Sequence, residues 1–122
     1  VEIQHFWNAV LRQDAQALRA CFWDDAWVNW HCTNEHFTVE EYLEANCTYP
    51  GRWDGAIERI VAAGDTTIVV GRVYPLDRSR SFHVVSFLQL EGGKIRALDE
   101  YWSDDGPPPQ WRLEKKLGTP II

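Results

Sequence analysis

The stretch Ser81–Trp102, SFHVVSFLQLEGGKIRALDEYW, decides the fold. Its two halves, 81–90 and 95–102, alternate inward and outward candidates around Glu91-Gly92-Gly93-Lys94. Alternation with period two marks a half-buried strand, and the glycine pair supplies the positive φ angles that a tight hairpin turn needs. Which side chains face the core depends on that turn. If Glu91-Gly92-Gly93 is a three-residue loop with Gly93 left-handed, Leu90 pairs with Lys94 and Ser86 shares a face with Leu98 and Glu100. If Gly92-Gly93 alone makes the turn, Ser86 shares its face with Asp99 and Tyr101, because a slip of one residue exchanges the two faces of a strand.

Working outward, two more β-rich runs precede the hairpin, 53–63 and 66–74, with Ala63-Gly64-Asp65 as a tight turn and Pro75–Arg80 as a polar loop. The four runs form an antiparallel meander. Upstream of them, residues 1–13 place Ile3, Phe6, Trp7, Val10 and Leu11 on one helical face. Asp14 reads as the N-cap of a short second helix carrying Leu18, Cys21 and Phe22. Residues 26–32 alternate as a strand, and Thr38-Val39-Glu40-Glu41 is a capping box that starts a third helix towards Cys47. Helices first and a meander second define an α+β chain, with about three N-terminal helices packed into the concave face of a strongly bent antiparallel sheet. No linker or repeat divides residues 1–122, so one domain is expected. The tail, with Pro107-Pro108-Pro109, cannot continue a central strand, and Trp111 is expected to hold it against the body.

Composition narrows the function classes. With 18 Asp+Glu against 12 Lys+Arg the net charge is −6, which argues against binding nucleic acid through phosphate contacts, since those need clustered cations. No apolar run is long enough to span a membrane, so no membrane partner is expected. The three cysteines, Cys21, Cys32 and Cys47, cannot all pair and form no CxxC. They are read as small buried hydrophobes in a reducing, cytoplasmic compartment. His31, Glu35 and His36 match no metal-ligand spacing and read as a solvated loop, while Asp104 and Asp105 read as a turn. No phosphate cradle, nucleophile elbow or dinucleotide fingerprint occurs, so neither metal nor cofactor is expected. Seven tryptophans are the outstanding feature, and they point either to a Trp-rich core or to a pocket lined by indoles for a flat apolar ligand.

The Asp14 helix junction, Phe22-Trp23-Asp24-Asp25-Ala26 leading into the first strand, Gly93-Lys94-Ile95 and Glu100-Tyr101-Trp102 together resemble the nuclear transport factor 2-like superfamily, which includes SnoaL-like polyketide cyclases and steroid Δ-isomerases. Tyr49-Pro50-Gly51-Arg52-Trp53 and the run from Asp99 to Arg112 are similar to a bacterial subgroup with no assigned activity. The resemblance implies a cystatin-like, cone-shaped α+β barrel around an apolar cavity, with a homodimer formed through the convex face. By alternation that face carries His83, Val85 and Phe87. It also implies the three-residue form of the hairpin loop. Steroid isomerase chemistry is not implied, because Phe6, Trp30 and Ser86 stand where those enzymes place a Tyr donor, an Asp base and a protonated Asp.

SnoaL-like relatives keep an acid or base on the last two strands, which here singles out Glu100, or Asp99 in the other register. A carboxylate buried among apolar neighbours has a raised pKa and is a candidate general base. The competing expectation is a structural carboxylate paired with Arg72 or Arg96. If the chain is an enzyme, Glu100 would abstract a proton from a flat carbonyl compound, Ser86 or an indole N–H would steady the oxyanion, and Arg72 would be a counter-charge. Phe6, Trp7, Trp30, Trp53 and Trp102 are the expected walls of the ligand site. The alternative is a non-catalytic binding or interaction module with its cone filled by indoles.

Overall fold

The computed structural model describes residues 2–122. Helix α1 (Ile3–Arg12) forms because Glu2 caps it, its carboxylate accepting from the Gln4 and His5 amides, and it stops where Gln13 turns left-handed at φ 56°. Val1, which the periodicity assigned to this helix, lies outside the described residues. Asp14 caps α2 (Ala15–Arg19) through the Ala17 amide. Strand β1 (Phe22–Trp30) begins four residues earlier than its alternation suggested and ends in a 3-10 turn at His31–Thr33. The expected loop beyond is a short strand, β2 (Glu35–Thr38), followed by α3 (Val39–Cys47), whose capping box joins Thr38 and Glu41 in both directions. Strands β3 (Trp53–Ala63), β4 (Thr66–Pro75), β5 (Phe82–Glu91) and β6 (Lys94–Asp104) then form the meander.

The six strands make one strongly curved sheet in the order β2-β1-β6-β5-β4-β3. One pair departs from the expected antiparallel pattern: β1 runs parallel to β6, with Val28 beside Leu98 and Trp30 beside Glu100. A parallel neighbour needs a long crossover, and all of α3 and the meander supply it. The concave face carries Val28, Val69, Val84, Leu88 and Leu98, on which the apolar faces of the helices close. Trp7 of α1 packs its six-membered ring against two glycines. A Cβ on Gly71 would stand 2.2 Å from the ring, and one on Gly55 would stand 2.3 Å from the Arg72 carbonyl, so both positions need a missing side chain.

The β5–β6 hairpin keeps neither anticipated register throughout. Gly92 and Gly93, at φ 57° and 82°, form a two-residue turn with Glu91 opposite Lys94. The three-residue loop implied by the resemblance is therefore absent. Between Gln89 and Leu90 the ladder shifts, leaving Arg96 as an extra residue on β6, and from there Ser86 stands opposite Glu100. Arg96 is held at the bulge by Asp25 and Glu91. The turn of one option thus coexists with the inward face of the other, although Ser86 pairs with Glu100 and not with Leu98.

The tail differs from expectation. Gly106 onward is exposed, including Trp111 on the short helix α4 (Gln110–Glu114); that indole is 55% exposed and not a buried anchor. Among the described residues no helix is long and apolar enough to cross a membrane.

Candidate functional site

Ser86 and Glu100 meet inside the cone, 2% and 4% exposed. Adjacent strands place them as a cross-strand pair, and Trp30 arrives from the other side of β6 because β1 runs parallel there. The Ser86 hydroxyl donates to Glu100 Oε2 at 2.6 Å, while the indoles of Trp30 and Trp102 donate to Oε1 at 3.1 and 3.4 Å. Burial pushes the Glu100 carboxyl up, against the three hydrogen bonds that pull it down. The buried Tyr42 hydroxyl is raised as well, first by burial and then by the nearby charge of Glu100.

The anticipated arginine partners lie elsewhere. Arg72 projects from the convex side of β4, with Asp105 at 4.0 Å, and borders a polar groove with Arg78 and Arg80. Arg96 serves the bulge. Among the described residues Glu100 has no ion pair, so neutral donors hold a carboxyl that no cation compensates. Asp99 is on the outer face, accepting from Asn29 at 2.9 Å and bonded to His31 at 2.7 Å, so it does not enter the cone.

Above this buried carboxyl opens a cavity of about 290 Å³. Trp30, Trp53 and Trp102 line it, together with Tyr49, Phe82 and Val73. Phe6 and Trp7 do not. Phe6 packs edge-on to Phe22 in the core, and Trp7 is sealed beneath Gly71 with an indole N–H that finds no partner among the described residues. Of the same helical face, Val10 and Leu11, one turn further on, reach the cavity instead. Glu100 and Ser86 are also not in the lining, because the two indoles that donate to Glu100 stand over it.

Several lining residues carried no clear sequence signal. Cys32, expected to be buried, is exposed on the 3-10 turn and faces the cavity, whereas Cys21 is buried and Cys47 half-buried. Asp104, expected in a turn, extends β6 to the rim. Asp105 accepts from Ser81 at 2.5 Å and pairs with His83. Burial raises its carboxyl, but those bonds and the nearby His83 and Arg72 charges outweigh burial and leave it below the usual range. His36 bonds Asn29 on the outer surface at 2.6 Å.

As a chemical device, the site is a carboxyl screened from the cavity by its own hydrogen-bond donors. Ser86 and both indole N–H groups are engaged with Glu100, so none is free to hold an oxyanion in this geometry.

Comparison with known proteins agrees with this architecture. A candidate ketosteroid isomerase from Kribbella flavida superposes with a TM-score of 0.80 at 20% identity, covering 98% of this chain and 87% of its own. An NTF-2-like protein of unknown function from Burkholderia xenovorans gives 0.79 at 21%, covering 98% and 92%. A candidate SnoaL-like polyketide cyclase from Shewanella denitrificans gives 0.68 at 11%, covering 83% and 87%. At such identities the likeness concerns the fold, which hosts many chemistries. No curated protein matches the chain. The SnoaL-like domain family matches residues 3–98, most of the helices and sheet just described, and the chain belongs to that family.

Proposed function

We propose that this protein binds a flat, largely apolar small molecule in the mouth of its cone. The observation that carries the reading is the cavity of about 290 Å³ walled by Trp30, Trp53, Trp102, Tyr49 and Phe82, close to the lower size of pockets that enclose a drug-like compound. A second reading, an isomerase or cyclase acting on a carbonyl compound, rests on the raised carboxyl of Glu100 beside Ser86. That chemistry requires Trp30 or Trp102 to swing aside so that substrate can touch Glu100. Family membership is compatible with both. Binding needs no such rearrangement and is the preferred reading.

Cys32→Trp tests it, because the turn is exposed and the new ring would fill the cavity without disturbing the core. Saturable binding of naphthalene- or biphenyl-sized compounds, followed by isothermal calorimetry, is expected in the wild type and is expected to disappear in the variant at unchanged Tm. Binding that survives Cys32→Trp would place the ligand elsewhere and defeat the proposal. For the catalytic reading, solvent deuterium exchange α to a bound ketone should require Glu100 and vanish in Glu100→Gln.

We also propose that the convex face pairs two copies. Val85 and Phe87 of β5 lie there beside Ile68, Val70 and Tyr101, with Phe87 36% and Tyr101 44% exposed, and such a contiguous apolar patch favours burial. His83 belongs to the same face, between Glu58 at 3.2 Å and Asp105. Sedimentation velocity at tens of micromolar should give a dimer, and Phe87→Asp a folded monomer. A monomeric wild type would refute the pairing.

A further inference from the structure

The polarity of the cavity wall defines which ligand it suits. Each indole that lines it spends its N–H inside the protein: Trp30 and Trp102 on Glu100, and Trp53 on the Pro50 carbonyl at 3.0 Å. The amide groups at the wall are spent in the same way. Gln13 Nε2 donates to the Asn46 and Tyr49 carbonyls at 3.0 and 2.7 Å, and Asn46 Nδ2 donates to the Val10 carbonyl at 3.2 Å. The Thr33 hydroxyl donates to Glu35 at 2.7 Å.

What the wall still offers is therefore nearly all electron-rich. The indole faces carry the negative side of the ring quadrupole, and the Gln13 and Asn46 side-chain oxygens keep their acceptor capacity. No Lys, Arg or His lines the cavity, and Asp104 is its one charged side chain. Among the described residues that carboxylate forms no ion pair or side-chain hydrogen bond. The rings already show what they attract. The Arg80 guanidinium, outside the lining, sits 5.4 Å from the Trp53 ring centroid and 5.3 Å from that of Phe82, within cation–π range.

Resting on the binding reading above, we infer that the cavity selects an organic ammonium compound: a quaternary or tertiary amine whose cationic head meets the indole faces and Asp104 while its apolar body fills the cone. An anionic ligand would face Asp104 and the π faces with no cation in the wall and only the Tyr49 hydroxyl and the Cys32 thiol as donors. A neutral ligand would gain only the apolar contacts. Arg80 is the opposing charge in the neighbourhood, so its removal should strengthen the interaction with an ammonium head.

Three probes of similar size separate the possibilities: benzyltrimethylammonium, its neutral carbon isostere neopentylbenzene, and 3-phenylpropionate as the anion, each titrated into the full chain by calorimetry or ligand-observed NMR. The ammonium compound is expected to bind about tenfold more tightly than the isostere, and the anion not to bind. Asp104→Asn should weaken the ammonium compound severalfold and leave the isostere unchanged, whereas Arg80→Gln should tighten the ammonium compound alone. Equal or tighter binding of the isostere, or binding of the anion, would overturn the ammonium assignment while sparing the binding reading. Failure of all three probes to bind would overturn both.

Discussion

Glu100→Ala is expected to cost about 3 kcal/mol or more, a large share of the stability of a domain this size. The carboxyl accepts from Ser86, Trp30 and Trp102, and truncation strands three donors in a site with little access to water. Each stranded group costs about 1–3 kcal/mol, partly relieved if water enters the space left behind. Urea unfolding should therefore show a much lower midpoint at an unchanged slope. Glu100→Gln should behave differently. Its carbonyl can take both indole N–H groups, and its amide can donate to the Ser86 oxygen, so the network survives with donor and acceptor exchanged between positions 86 and 100.

The same pair of proteins tests the charge state. Burial raises the folded pKa of Glu100 above its unfolded value, so the folded chain holds the proton more tightly than the unfolded one does. The stability linked to that proton is complete below the ordinary carboxylate range and is lost as pH rises through the raised value. Gln has no proton to lose. The stability of Glu100→Gln relative to wild type should therefore grow with pH across that window and then level off. A difference that stays flat from acid to neutral pH would show that Glu100 titrates normally and that burial is compensated.

Gly71→Ala is the second large effect. The added methyl would stand 2.2, 2.7 and 2.9 Å from three atoms of the Trp7 ring, which is 3% exposed and has no room to retreat. Overpacking of this kind costs about 1–3 kcal/mol and occasionally more, and a clash with a rigid bicyclic ring falls at the upper end. Trp7→Leu alone should also destabilise, by leaving a void. Combined, the two changes should cost clearly less than their sum, because the smaller side chain makes room for the methyl. Additive costs in thermal or urea unfolding would mean that the glycine serves some need other than the ring.

The sheet and helices were legible in the chain because their signals are local. Asp14 and Thr38 cap where their side chains alone dictate, and the alternation of β5 fixes Ser86 inward and His83, Val85 and Phe87 outward. Placing Glu100 with Ser86 was also within reach, although by a bulge rather than the anticipated loop. What could not be read depended on distant chain segments. That Trp30 and Trp102 stand over Glu100 follows from the parallel neighbour β1, which no hairpin signal announces. Trp7 looks like a wall residue by its type, yet two glycines about fifty and sixty positions away give it a slot in the core. Arg72 is a cation of the right strand on the wrong face, a distinction that rests on the phase of β4 alone.

The extra residue at Arg96 makes the hairpin behave like a reading frame. A two-residue turn with one bulge and a three-residue turn with none present the same side chains inward, so an insertion in one place is cancelled by a deletion in the other. The acid inside the cone is thus selected by counting residues, and two sequences can differ in both places while keeping the same interior. Aligning relatives on the glycines alone would swap the identities of the buried acid and its exposed neighbour. Turn and bulge have to be compared as a single unit of inheritance.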